Sequence, residues 1–298
     1  MKIKIILLSF LLLSFYQFAL AQSIIYKYLT NLQNAGLLGH VKQIKNSCYA
    51  ASEKFGEIVE NRSKFYDGTI SYKYDDKGNL IEIQNYDSVG SVGTKYLIKY
   101  DKIGNWIETN IYNPDGSLYY KNIIKYDGKG NMVETNGYHS DGSLDIKIAR
   151  KYDSKRNIIE IDWFNQDGYL FQKEVYKYDD KRYGFKWDFF RIFQGTPGLN
   201  THKEGIAKLD RKGNCIESEC YDVDMLNHPL VEKNIRTYNK NGNLIKTYHF
   251  ESPYNKVLEY NNTWTYEYDI YGNWIKKTEY KDSIVKFVNI RDIEYYSK

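Results

Sequence analysis

The chain has 298 residues, with 42 lysines and arginines against 38 aspartates and glutamates, for a formal charge of +4 at pH 7. So small an imbalance, scattered without runs of one sign, excludes a nucleic-acid binder or a protein held to an anionic membrane by charge. Three cysteines exclude a disulfide scaffold, whereas 31 tyrosines make the chain rich in aromatic side chains.

Residues 1–21 read as a secretory signal peptide. Lys2 and Lys4 precede an apolar stretch from Ile5 to Leu20, and Ala19-Leu20-Ala21 forms a small-x-small cleavage site before Gln22. The stretch falls short of the roughly 20 apolar residues a membrane helix needs. The expectation is export, to the periplasm or outside the cell. The first cysteine is Cys48, so no lipid-attachment residue follows the cleavage site. No later segment is apolar enough to cross a bilayer as a helix, so no transmembrane segment is expected after cleavage.

Residues 22–37 form an N-terminal segment in which Ile24 to Leu37 carry a weak helical pattern, suited to a short helical cap or plug. Residues 38–298 form one repeat domain. Its first unit, residues 38–70, is degenerate, with a turn at Glu53-Lys54-Phe55-Gly56. Then Lys-Tyr-Asp-x-x-Gly-Asn recurs, followed by two apolar residues and Glu. The anchoring tyrosines are Tyr74, Tyr100, Tyr126, Tyr152 and, in a decayed copy, Tyr178, each 26 residues after the last. Looser copies carry Leu209-Asp210, Tyr238-Asn239 and Tyr268-Asp269 ahead of their Gly-Asn pairs. Repetition at a fixed period marks a repeat architecture.

Between anchors lies a second signature, as in Tyr112-Asn113-Pro114-Asp115-Gly116, with later copies around Gly142 and Gly168. Both signatures suit a type I turn closed by a glycine at positive φ. Each repeat then holds two tight turns and two strands of about seven to nine residues, necessarily antiparallel. The fold expected is all-β: an antiparallel β-hairpin meander of 26-residue repeats curled into a twisted, tubular or spiral sheet.

Two signals bear on register, and they conflict. The glycine positions favour an odd loop, which puts Tyr100, Trp106, Glu108 and Tyr112 on one face and Lys99 and Ile111 on the other. Against this, Lys73 with Glu82 and Lys208 with Glu217 become Glu267 with Lys276 in the last copy. Such a charge swap suggests direct cross-strand neighbours. The odd loop is the register expected here.

Residues 182–208 interrupt the array with Phe185, Trp187, Phe189, Phe190 and Phe193, an aromatic insert that is the candidate binding surface. The alternative is a packing plug, or a degenerate strand pair with a longer loop. Near the C-terminus, Ile284 to Tyr296 reads as a closing strand pair or one long strand. Cys215 and Cys220 share a strand and lie roughly 16 Å apart, too far to bridge each other. Either could pair with Cys48, or all three are buried small side chains.

The Tyr-Asp-x-x-Gly-Asn anchors resemble YD (Rhs-type) repeats, over most of residues 66–296. The resemblance implies β-hairpins built into a spiralling shell, as in short, exported, repeat-only bacterial members of that family. Large members enclose a C-terminal toxin. Here the last anchor, Tyr268, lies 30 residues before Lys298, and toxin activity is not carried over.

No histidine pair has metal-ligand spacing, and no nucleophile elbow or phosphate loop occurs. Asp75, Asp101, Asp127 and Asp153 stand at turn starts, where an aspartate bonds its own backbone rather than calcium. Glu82, Glu108, Glu134 and Glu160 repeat in every unit and read as a structural ladder. No catalytic residue, metal or cofactor is expected. The function expected is a non-enzymatic binding or structural module at the cell envelope or outside it, its partner a glycan or another exported protein. Two alternatives stand beside it. One is a glycan-active enzyme using the aromatic insert, which needs two converging carboxylates from among Asp188, Glu204, Asp222 and Asp224, and the other is a partner or immunity-like protein for another exported protein.

Overall fold

The computed structural model describes residues 36–178, 184–191, 201–225, 227–252 and 258–297. Nearly all of the proposed 22–37 cap, and Phe193, therefore lie outside the described residues. Eighteen strands and no helix are present among them. The chain opens with β1 (Val41–Lys54) and the long β2 (Glu57–Tyr74). Then follow β3 (Leu80–Tyr86), β4 (Val92–Tyr100), β5 (Trp106–Tyr112), β6 (Leu118–Tyr126), β7 (Met132–His139), β8 (Leu144–Tyr152) and β9 (Ile158–Asn165). The second half holds β10 (Leu170–Tyr178), β11 (Gly184–Arg191), β12 (Thr201–Leu209), β13 (Cys215–Asp222) and β14 (Leu230–Tyr238). It ends with β15 (Leu244–Glu251), β16 (Leu258–Tyr268), β17 (Trp274–Lys281) and β18 (Ile284–Tyr295). Every strand pairs antiparallel with the next, and β1 also pairs with β18 from Val41↔Tyr295 to Ala50↔Phe287. The meander is a closed barrel, and Ile284–Tyr295 is one long closing strand.

The anchor signature builds the corners. In the turn after β4, Gly104 N–H donates to the Asp101 carbonyl at 3.2 Å, and Asp101 N–H donates to the Asn105 carbonyl at 2.9 Å. Asp101 Oδ1 accepts from the N–H groups of Ile103 and Asn105, and its Oδ2 accepts from Asn105 Nδ2. The carboxylate is thus used up inside its own turn, and the same bonds recur at Asp75, Asp127, Asp153 and Asp210. Gly104 closes the corner at φ 90°. Arg156 holds that slot in the fourth copy at φ 67°, and its Nε donates to Asn131 Oδ1 of the preceding corner.

Both register signals prove to be partly right. Tyr100 pairs with Trp106 across a five-residue loop, but Lys99 pairs with Glu108, leaving Ile107 as an extra residue. The same one-residue bulge falls at Ile81, Val133 and Ile159. The odd loop would turn the next strand over, and the bulge turns it back. This corrects the expected faces: Glu108 and Tyr112 leave the side of Tyr100, and Ile111 joins it.

The two faces are consequently distinct around the ring. The outer one carries triads in which Glu108 lies 2.7 Å from Lys99 and 3.2 Å from Lys121, and Glu134 lies 2.7 Å from Lys125 and 3.0 Å from Lys147. Triads at Glu82, Glu160 and Glu217 match them. The luminal face gathers Ile44, Tyr74, Leu80, Ile83, Ile98, Trp106 and Ile124 into the buried core. Anchor tyrosines lock one repeat to the next. Tyr100 Oη donates to the Leu80 carbonyl, Tyr126 to that of Trp106 and Tyr152 to that of Met132, each at 2.8 Å. Each acceptor sits beside a bulge, where the ladder is interrupted, so the phenol supplies a donor there.

The β1–β2 hairpin overruns the barrel, with its turn at Phe55 (φ 54°) and Gly56 (φ 81°). Near its tip Glu60 reaches Lys276 of β17 at 3.4 Å, although β18 and β1 separate β17 from β2 in the wall. The hairpin end therefore folds back over the outer surface, where Val288 of β18 is fully buried. None of the three cysteines forms a disulfide.

Tyr126→Phe should cost about 1 kcal/mol, the usual worth of one hydrogen bond, in chemical denaturation. A change below experimental error would show that the tyrosine ladder does not contribute. The outer triads add a pH dependence. Lys125, then Lys147 and Asn136, hold Glu134 at about 2 against burial, and Lys151 with Lys173 does the same for Glu160. A folded pKa below the unfolded one stabilises fully above about pH 5 and less as pH falls toward about 2. Stability should fall across that window, and Glu134→Gln should make the slope shallower.

Candidate functional site

The luminal wall is not uniform in the size of its side chains. Two and four residues before each anchor, β4 places Ile98 and Tyr96, and β6 places Ile124 and Asn122. At the same positions β12 carries Ala207 and Gly205. Beside them β13 carries Ser218, paired with Ala207, and Cys220, paired with Gly205. Four small residues thus stand together on two adjacent strands, where β4 to β6 carry larger ones. Beside this floor rise the aromatic residues of β10 and β11: Tyr176 pairs with Trp187, and Tyr178 with Phe185. The outcome is a luminal cavity of about 770 Å³ lined by residues of β10 to β14. Its lining includes Tyr176, Phe185, Trp187 and Phe189 together with Glu174, Arg191, Lys203 and Glu232.

Trp187 depends on the glycine facing it. A Cβ at residue 205 would lie 2.3 Å from Trp187 Cε2 and Cζ2. The indole therefore lies flat on Gly205 and forms a platform beside Lys203 and Cys220. Phe185 packs against Tyr176 and Tyr178 with ring centroids 5.9 and 5.6 Å away. Burial raises the Glu174 carboxyl, which accepts from the Tyr176 hydroxyl. Burial also pushes the Cys220 thiol up to about 11, keeping it protonated at neutral pH.

The aromatic insert is thereby divided. Within residues 182–208, β11 and β12 continue the ladder from Gly184↔Lys208 to Arg191↔Thr201. Strand alternation sends Phe185, Trp187 and Phe189 into the lumen and Phe190 to the outside, where it stacks on His202 at 4.1 Å. Phe193 is not among the described residues. The irregular carboxylates divide too. Asp188 and Glu204 are cross-strand partners on the outer face. Asp188 Oδ1 lies 3.3 Å from His202 Nε2, and Asp224 Oδ2 accepts from the His202 N–H. Asp222 pairs with Lys203 on the luminal face. None of these four lines the cavity. Among the described residues, no cluster of three His, Cys, Asp or Glu could hold a metal.

The signal missed in the sequence was smallness. Gly205, Ala207, Ser218 and Cys220 occupy inward positions of degenerate copies, and attention to large aromatic residues passes over them. Gly205→Ala is expected to dislodge Trp187, changing its emission and costing about 1–3 kcal/mol in stability, as overpacking does. Unchanged emission and stability, with Trp187→Phe as the control for assignment, would show that the indole does not rest on that glycine.

No protein-family model matches the chain, and no curated protein matches it. Among solved structures, it is similar to a porin-like protein from Bacteroides uniformis, at 12% identity over 85% of this chain and 96% of that one, with a TM-score of 0.44. It is also similar to a TcdB2-TccC3-Cdc42 structure, at 12% identity and a TM-score of 0.37, over 87% of this chain and 16% of that one. A TcdB2-TccC3 structure without its hypervariable C-terminal region aligns at 13% identity and a TM-score of 0.36, over 72% of this chain and 14% of that one.

Proposed function

We propose that this chain is an exported, non-catalytic binding barrel built from YD-type repeats, which holds a sugar- or peptide-sized ligand in its luminal cavity. The observation carrying this reading is the aromatic wall of Tyr176, Phe185, Trp187 and Phe189, which among the described residues faces a cavity above a floor of small residues. A cavity of about 770 Å³ lies within the range of small-molecule sites, which are mostly apolar with a few placed polar groups. Aromatic faces suit sugar rings and peptide side chains alike.

Two further features support the reading. The outer wall bears lysine–glutamate triads at Glu82, Glu108, Glu134, Glu160 and Glu217. A lipid-facing barrel needs an apolar band there, and each lysine at mid-membrane costs about 2–4 kcal/mol. Water on the outside is therefore the better fit. The cavity carboxylates Glu174 and Glu232 are also not spaced as a hydrolytic pair. Glu174 on β10 and Glu232 on β14 are four strands apart, roughly 19 Å along the wall at about 4.8 Å per strand. Glycoside hydrolysis uses carboxyl pairs about 5–9.5 Å apart.

Tryptophan emission titrated with short oligosaccharides and short peptides tests the proposal. A saturable change is expected, weakened about tenfold or more in Trp187→Ala, as the loss of about 1.4 kcal/mol of stacking implies. If neither ligand class perturbs the emission, or if Trp187→Ala binds equally well, the cavity is not a binding site.

A further inference from the structure

Most charges around this cavity are sorted by position, the exceptions being Glu174 on β10, which accepts from the Tyr176 hydroxyl, and Asp222 opposite Lys203. The positive ones stand on β11 and β12, where Arg191 pairs with Thr201 and Lys203 with Phe189. The negative ones on the far side stand on β14 and β15, where Glu232 pairs directly with Glu251. Two carboxylates facing each other repel, and a cation between them relieves the repulsion. His249 Nε2 lies 3.6 Å from Glu251, and Asn234 Nδ2 donates to Glu232 Oε1. Asp222, opposite Lys203, already accepts the Asp224 N–H at Oδ1. The Trp187 platform, over Gly205 and next to the small Cys220, shares a cross-strand row with Glu232 and lies one inward position along β12 from Lys203.

We infer that the ligand is a short peptide-like zwitterion, with its ammonium group at Glu232 beside the indole face of Trp187 and its carboxylate at Lys203 and Arg191. Indole faces attract cations, and Arg and Lys bind carboxylates with charge-assisted hydrogen bonds. Scale agrees as well. Two strands and two residues separate Lys203 from Glu232, roughly 12 Å between Cα atoms. An extended tripeptide spans about 10 Å.

The inference rests on the luminal binding reading, and the test separates the two. Trialanine, its N-acetyl form and its C-terminal amide are titrated against the protein by calorimetry, with a neutral disaccharide alongside. Trialanine is expected to bind at least tenfold more tightly than either capped form. Glu232→Gln should abolish the preference over the acetylated peptide, and Lys203→Gln the preference over the amide, both with unchanged circular dichroism. Equal binding of all three peptides would overturn the zwitterion inference. So would Trp187-dependent binding of the disaccharide without the peptides, while the cavity itself would stand as a binding site. Absence of binding by every probe, with Trp187→Ala indistinguishable from wild type, would sink both.

Discussion

Parity is the constraint on which the barrel depends. A β-strand presents alternate residues to opposite faces, so a loop of odd length inverts the strand that follows it. The anchor corner is odd, because Asp and Gly impose a five-residue turn. One extra residue, such as Ile107 or Val133, restores the inversion within the next strand. Lysine and glutamate then meet on the outside, while tyrosine and the branched aliphatic residues meet inside. Without the bulge, each hairpin would bury the charges that its predecessor exposed. The tyrosine bonds follow from the same device, since the bulge that fixes the faces also interrupts the ladder beside the carbonyl that the phenol reaches.

Function on such a scaffold comes from departure rather than from repetition. The early repeats fill the lumen with Ile83, Ile98, Ile111 and Trp106, and that side is packed. In β12 and β13 the positions persist, but the volumes shrink to Gly205, Ala207, Ser218 and Cys220. The backbone still closes because hydrogen bonding, not side-chain volume, sets the ring. Space therefore opens without loss of the wall, and the aromatic residues of β10 and β11 are left facing it.

The strands, corners and antiparallel order were legible because Asp, Gly and Asn at fixed offsets have strong local preferences. The turn aspartates were legible for the same reason. Register was legible only in halves. Glycine spacing reported the loop, the Glu267–Lys276 swap reported the pairing, and the bulge reconciling them has no residue signature beyond a second apolar residue. The insert was misread as one surface because consecutive aromatic residues look like a cluster in sequence. Phe189 and Phe190 are neighbours in the chain and lie on opposite sides of the wall. Closure was not legible from any segment, since it depends on how many strands the whole chain supplies.

The join between β1 and β18 differs from the other contacts in one respect. Hairpin partners lie a few residues apart, whereas Lys42 and Glu294 are separated by 252 positions. Hairpins can form rapidly and independently, but the ring cannot close until the last strand exists, and bringing such distant ends together is slow. Until then the meander has two bare edges, each able to template another copy. The exposure of the chain to misassembly is thus concentrated in one interval of its folding, ended by a single zipper from Val41 to Ala50.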